Sequence, residues 1–580
     1  MSQPAGTAAT LATLAPIRSR RPVARGRTGW SAFVVVVAVL VAAPVLAVLA
    51  DVSSGAFGTL PANLGDMVVT TLLLMLGVGA GTLVLGVGLA WLVTAYDFWG
   101  RGVMVWLLVL PLAMPAYILG FVFLSTFDAA GPVQQWLRSN TGSGFELHLT
   151  SLPGCIVVMS LTLYPYVYLM ARAAFAEQAP TTYDAARTLG ASRARAFFRV
   201  LLPLARPSLA AGLALVLMEV LTDFATVQYF GVQTVSVGVY LVWKGSYDFA
   251  SAAQLASLVM LFAVAVLAGE RLMRGRARFT QRGGRGTGLQ PERLGPGRGL
   301  LALFACLAAL SASVFVPVGR LAGWALEPTA ARGQNALGTD FLQALVNSLV
   351  VAAIASASCV ALALLIGHAL RLGGGRVVRA AAQLTTFGYA VPGAVIGIGT
   401  LLLFKYADDG LKAIGVPGGT GLVVTGSVAG ILFAYAVRFL GPAYQAVDAS
   451  YAKLSASVTQ SAMSLGAGPF RVLRRVHAPL VRPGVAVAVV LVAIDAIKEL
   501  PLVLFLRPIN FTTVSVWVWQ LAKENLWGLA ALPALIIVAL AVIPVFLLFR
   551  QVRAADRAVR RPDRLSSRPS NRPSNRESRR

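Results

Sequence analysis

Runs of about 20 apolar residues recur along this chain, each long enough to cross roughly 30 Å of hydrocarbon as a helix. Twelve stand out: about 31–50, 67–95, 103–126, 152–174, 208–229, 250–270, 300–319, 343–370, 380–404, 421–440, 484–506 and 528–549. Inside a bilayer every backbone N–H and C=O must be satisfied within the segment, so such runs fold as helices. With 57% apolar and 12% charged residues, against about 25% charged in soluble proteins, a soluble globular enzyme is excluded. The expectation is an all-α integral membrane protein of about 12 transmembrane helices.

Charge placement sets the direction of the spans. The net charge of +26 would suit a nucleic-acid binder, but the basic residues lie in short stretches between apolar runs. Arg18, Arg20, Arg21, Arg25 and Arg27 precede the first run, and Arg187, Arg193, Arg195, Arg199 and Arg206 crowd the fourth connection. The sixth, the tenth and the C-terminal tail are equally basic, whereas 51–66 carries Asp51 and Asp66 and no base. Short cytoplasmic loops hold the positive excess, so both termini are expected in the cytoplasm of a multi-pass inner-membrane protein. A cleaved leader ending at Val48-Leu49-Ala50 is the alternative for the first run, but its basic and apolar parts are too long, and losing it would break the charge alternation. The Gly/Arg-rich stretch 272–299 resembles an RNA-binding tract in composition; between two six-span halves it reads as a cytoplasmic tether, and no nucleic-acid partner is expected. Cys155, Cys306 and Cys359 each stand alone, without metal or disulfide spacing.

The halves repeat. DAARTLGASRARAFFRVLLPLARPSL at 184–209 and QSAMSLGAGPFRVLRRVHAPLVRPGV at 460–485 align without a gap at a shift of 276 residues. Six spans lie between the copies, so the halves point the same way, related by an axis along the membrane normal. The organisation is a basic tail at 1–30, six spans over 31–271 with a loop at 180–207, the linker 272–299, six spans over 300–550 with a loop at 456–483, and a basic tail at 551–580. In the first loop Pro180 with Thr181 or Thr182 is expected to open a short helix, Ala185 and Ala186 permit close approach, and Gly190 breaks the helix before an Arg-rich second one ending at Pro203. A rigid docking knob explains this better than an amphipathic surface helix, because the internal spacing occurs twice.

These residues resemble the permease signature of binding-protein-dependent ABC importers. In that pattern Glu-Ala-Ala is followed by Gly, an aliphatic residue and Leu-Pro at fixed intervals. The first copy reads Asp184-Ala185-Ala186, Gly190, Val200, Leu202-Pro203; the second reads Gln460-Ser461-Ala462, Gly466, Val476, Ala478-Pro479. Asp184 is one methylene shorter than the family's Glu and Gln460 is uncharged. The fused layout, DFATVQYFG at 223–231, YDFASAAQLASLVMLF at 247–262 and KELPLVLFLRPINFTTVSV at 498–516 are similar to the ferric-iron permeases, with thiamine and phosphonate permeases sharing parts of the pattern. The resemblance implies the type I importer fold, two tandem parallel six-helix repeats. It also implies two cytosolic ATPase subunits docking on the two loops, a periplasmic binding protein delivering substrate, and alternating access. No GxxxxGK[ST] phosphate loop occurs, so the chain is expected to be a transport subunit without its own ATPase site, binding no cofactor, with ATP and Mg held by partner subunits.

Ionisable groups within spans are costly and mark functional candidates. At 1.5 Å per residue Glu219 falls near mid-bilayer with Asp223 one turn further out on the same helix face. Asp495 and Glu499 repeat them at the same shift. Four carboxylates near the pseudo-twofold axis would offer hard oxygen to a trivalent cation, giving transient Fe3+ contact at Glu219, Asp223, Asp495 and Glu499 rather than a firm metal site. Alternatively they pair with Lys498, Arg507 or backbone groups at a bend. Pro111, Pro115, Pro165 with Tyr164, Tyr166 and Tyr168, and Tyr389-Ala390-Val391-Pro392-Gly393 mark kinks beside ring hydroxyls, either lining a path or only packing. Lys498, Tyr166 and Tyr389 complete the pathway candidates. His148, His368 and His477 share no ligand spacing and are assigned no chemistry. An ion-driven secondary transporter would also show a parallel repeat but leaves the paired loops unexplained, and no catalytic constellation is present.

Overall fold

The computed structural model describes residues 24–54, 58–141, 149–246, 248–274, 291–327, 338–417, 419 and 426–560. His148, most of the linker and most of both basic tails lie outside them. The described chain is nearly all helical. One short parallel pairing, Tyr96–Asp97 with Glu292–Arg293, joins the connection after the second span to the entry of the seventh.

Eight helices are each long and apolar enough to cross a membrane: Thr28–Ser53, Leu64–Ala95, Ala116–Asn140, Leu152–Ala176, Arg193–Thr222, Phe249–Met273, Pro296–Leu326 and Thr339–Arg371. Two bent pairs, Arg376–Ala390 with Gly393–Ala413 and Pro469–Leu480 with Arg482–Lys498, raise the number to as many as 10 among the described residues, with bends of 113° and 77°. The other two expected runs fall on Val428–Tyr451 and Trp527–Arg560. The first begins at Val428 rather than near 421, and Arg438, Gln445 and Asp448 dilute its apolar character. In the last, the shorter stretch Trp527–Ile543 is the apolar part. In chain order these segments are passes 1 to 12.

Each half is built on the same three-helix core. Passes 2, 4 and 5 pack together in the first half, and passes 8, 10 and 11 in the second. Small residues make the contact possible, since helix association in lipid depends on close packing rather than on water exclusion. A Cβ added at Gly77 or Gly81 would come within 2.4 Å of Ile156 or 2.3 Å of Ser160, so pass 2 lies directly on pass 4. A single cluster of buried apolar side chains continues through both halves.

The first helix of each half leans on the other half. Pass 1 packs along pass 9, and pass 7 packs against passes 3, 4 and 12. At the crossing of passes 1 and 9 a Cβ on Gly399 would sit 2.2 Å from the Pro44 carbonyl oxygen. Nearer the far end the Tyr406 hydroxyl donates to Asp51 Oδ1 over 2.6 Å.

Candidate translocation cavity and docking loops

Breaks in four passes build the centre of the molecule. In pass 3 a 3₁₀ turn, Leu110–Ala113, gives way to extended Met114 and Pro115 before the helix restarts at Ala116. Pass 9 does the same with Phe387–Ala390, Val391, Pro392 and Gly393. Proline forces the preceding residue out of the helical region and denies the ladder a donor. In pass 5 the helix Leu202–Thr222 stops at Asp223, whose carboxylate accepts from the Thr226 N–H (2.9 Å) and from the Thr226 hydroxyl, capping Phe224–Tyr229. In pass 11 the helix Arg482–Lys498 stops at Glu499, which accepts from the Leu502 N–H (3.3 Å) ahead of Pro501–Leu506. This corrects the expectation of one continuous helix face carrying Glu219 and Asp223. In passes 5 and 11 an acidic residue at the break satisfies N–H groups that the restarting helix leaves orphaned.

The breaks border an open cavity that all seven pathway candidates line: Tyr166, Glu219, Asp223, Tyr389, Asp495, Lys498 and Glu499. A second cavity continues toward Leu267, sharing Tyr166, Glu219, Thr222, Tyr389 and Arg438 with the first. Among the described residues no group of three or more His, Cys, Asp or Glu is placed to hold a metal ion. On the other side of the breaks Phe224, Tyr240, Phe505 and Trp519 meet in an aromatic layer across the two halves.

Ion pairing divides the carboxylates. Asp495 meets Lys498 at 2.8 Å, and Glu499 meets Arg438 at 3.2 Å with both side chains under a tenth exposed. Arg438 was not singled out by the sequence reading, although an arginine in mid-span is itself a signal of function. Arg507 bonds Thr512 (3.3 Å) and, among the described residues, pairs with none of these carboxylates. The three tyrosines of pass 4 separate as well. Tyr166 lines the cavity, Tyr168 is buried and donates to the Val105 carbonyl (2.8 Å), and Tyr164 is buried in the core. Pro165 does not interrupt its helix, Leu152–Thr188, whereas Pro115 and Pro392 stand at breaks.

The repeated loops share a turn but not a helix plan. Asp184, Ala185 and Ala186 continue the same long helix, Leu152–Thr188, so Pro180 does not open a separate short helix. In the second half pass 10 ends at Tyr451, and Gln460, Ser461 and Ala462 lie on the separate helix Ala456–Ser464. Both helices end on a left-handed glycine, Gly190 at φ +87° and Gly466 at φ +81°. Ala191 N–H bonds Ala186 O at 3.0 Å, and Ala467 N–H bonds Ala462 O at 3.1 Å, the pattern of a glycine-terminated helix. Leu189 and Leu465, beside those glycines, are each 88% exposed. A π-helical turn follows in each copy, Phe197–Leu201 and Leu473–His477, leading to Pro203 and Pro479.

Two histidines without common sequence spacing come together beneath the second loop. His368 and His477 face each other through their Nδ1 atoms at 2.8 Å, and His477 Nε2 reaches the Thr459 hydroxyl at 2.9 Å. The corresponding region of the first half holds the aromatic cluster Trp91, Phe175, Tyr183 and Phe197.

Residues 82–269 match the family of binding-protein-dependent transport system inner membrane components. Over these residues the chain is similar to that family. The match runs from within pass 2 through passes 3, 4 and 5 into pass 6 and includes the first repeated loop, and the internal repeat extends its plan to the second half. Similar over most of its length is the Fe(3+)-transport system permease protein FbpB 2 of Haemophilus influenzae, 26% identical over 490 residues that cover 84% of the chain and 90% of the relative. The putative ferric transport system permease protein FbpB 1 of the same organism is 24% identical over 69% of the chain and 63% of its own length. The sulfate transport system permease protein CysT of Escherichia coli is 29% identical over 191 residues, 32% of the chain and 67% of that relative. The match to inner membrane components and the succession of apolar helices make the chain a multi-pass inner-membrane protein.

Proposed function

We propose that this chain is the permease subunit of an ATP-driven importer that moves ferric iron from a periplasmic binding protein to the cytoplasm by alternating access. The observation that carries the cargo is the central cavity, where four carboxylates and the phenols of Tyr117, Tyr166 and Tyr389 face one space at the junction of both halves. Carboxylate and phenol oxygens are hard donors, matched to a hard trivalent ion. Their engagement is transient, as passage demands. The ferric transport names of relatives that align over both halves support the same cargo.

Two cytosolic ATPase subunits dock on the loops around Asp184–Gly190 and Gln460–Gly466, which places both termini in the cytoplasm. The exposed Leu189 and Leu465 supply matching apolar contacts to two copies of one partner. ATP and Mg reside on those partners; this chain contributes the path and the transmission of movement, not hydrolysis. The test is uptake of radiolabelled ferric ion into proteoliposomes holding permease, ATPase and binding protein, with thiamine and phosphonates as competitors. ATP-dependent accumulation of iron that neither competitor reduces is the expected result; accumulation of labelled thiamine instead overturns the iron assignment while leaving the machine intact.

A further inference from the structure

The cavity has a duplicated frame and unduplicated charge. Aligned at the shift that superposes the two loops, Glu219 corresponds to Asp495 and Asp223 to Glu499. The cations that neutralise the second pair, Lys498 and Arg438, correspond in the first half to Thr222 and Thr162. Both threonines line the same cavity, and both spend their hydroxyls on their own helices: Thr222 donates to Met218 O at 3.0 Å and Thr162 to Val158 O at 3.1 Å. Asp223 therefore has hydrogen bonds only, from Thr226.

We propose that the cargo site is one-sided: a cationic cargo is taken by Glu219 and Asp223 of the first half, while Asp495 and Glu499 are held by cations of their own half and shape the wall opposite. This rests on the cationic cargo proposed above. A second observation points to a ligand at the same place. Tyr117 is 5% exposed and lines the cavity, and its buried hydroxyl has no hydrogen-bond partner, leaving an oxygen unsatisfied on the first-half side. Buried polar groups rarely remain without a partner, and a bound cation would give this oxygen one. On the second-half side the space is already filled. A Cβ on Gly393 would meet Arg438 Nη1 at 3.2 Å and Glu499 Oε1 at 3.5 Å, so the absence of a side chain there accommodates the ion pair. Arg438 and Lys498 act as tethered counter-ions. They keep the empty cavity from carrying four bare charges, and they confine the attraction for a cation to one wall.

The experiment uses the full chain in detergent with gallium(III) citrate, a trivalent probe without redox chemistry, and reads the thermal shift that the probe produces. Wild type is stabilised. Glu219→Gln with Asp223→Asn keeps the cap and the volume, and should raise the half-saturating probe concentration about tenfold or more, equivalent to about 1.4 kcal/mol. Thr222→Lys installs on the first half the cation that Lys498 supplies on the second, at the same i,i+3 spacing from the carboxylate, and should abolish the shift while the apo melting temperature is kept or raised. Arg438→Gln with Glu499→Gln removes a pair together and leaves no charge unpaired; it should leave the half-saturating concentration within about threefold. Equal loss in both double variants, an unchanged shift in Thr222→Lys, or no shift in wild type overturns one-sidedness. Failure of the ferric reading is seen separately, as absent iron uptake by the full complex when the gallium pattern stands.

Discussion

Gly190 and Gly466 are the residues at which conformation alone can be tested. Both hold a left-handed backbone, and a Cβ at either would meet nothing within 4 Å. A substitution there adds strain without a clash. Valine at either position costs roughly 1–2 kcal/mol locally and re-aims the helix that precedes it, whereas asparagine tolerates the left-handed region. Gly190→Val and Gly466→Val should insert and fold yet lose most substrate-stimulated ATP hydrolysis in the assembled complex, while Gly190→Asn keeps the larger part. Normal stimulation in both valine variants would show that these turns do not transmit movement. The carboxylates of the cavity were legible in the sequence because a charge inside an apolar run declares itself. Arg438 is as visible, a single charge within the run 421–440. The contact of His368 with His477 was not legible at all, since 109 residues separate them and no local pattern records the meeting.

Helix boundaries follow local chemistry, and there the sequence was a mixed guide. Proline at 115 and 392 marks real breaks, whereas proline at 165 and 180 lies within the uninterrupted helix Leu152–Thr188. The difference is neighbours: at both breaks a 3₁₀ turn, Leu110–Ala113 or Phe387–Ala390, precedes the proline and takes over hydrogen bonds, and sequence pattern alone does not tell which proline has such support. The cap at Asp248 is a further case, outside the spans. Its carboxylate accepts from the N–H groups of Ala250 (3.0 Å) and Ser251 (3.3 Å) at the start of Phe249–Arg274, and these bonds, the Ser251 hydroxyl foremost, hold its pKa below the usual carboxylate value. A depressed folded-state pKa means that the stabilisation is present above the unfolded value and is lost as pH falls through the folded one. Asp248→Ala should therefore lower stability by about 1 kcal/mol at neutral pH, a modest effect because water screens the site. Wild type should lose the same amount as pH drops below about 4, and Asp248→Asn, which caps without titrating, should remove that dependence. Thermal melts of the three proteins across this range decide it.

At the scale of the molecule, duplication and the succession of apolar runs were written openly in the sequence, because span length and charge alternation are one-dimensional properties. Which helices touch was not, and the exchange of first helices between halves is the main addition. Gly399 is its tightest point. A methyl group there would press on the Pro44 carbonyl at 2.2 Å, a backbone atom that cannot swing away. Gly399→Ala should part passes 1 and 9, break the Tyr406–Asp51 bond and cost on the order of 1–3 kcal/mol, seen as a lower melting temperature and faster proteolysis near residue 54. An unchanged melt would mean that the crossing is looser than described. Direction across the membrane is checked by reporters. A tag active only in the periplasm should be silent at either terminus and active within 127–149 or 321–342, and activity at a terminus would overturn the twelve-span order.

The crossing of pass 1 onto pass 9 also sets a schedule for synthesis. Roughly 340 residues separate the two, so at about 5–20 residues per second the ribosome needs roughly 20–70 s to deliver the partner. Through that interval the first helix waits in lipid with its future contact face uncovered. It is the most apolar of the eight unbroken spans, with the single acid Asp51 at its far end. A helix that must be at home in hydrocarbon before its main partner arrives has reason to be made of valine, leucine and alanine throughout, and the greasiest of the unbroken spans waits through much of the synthesis to be covered.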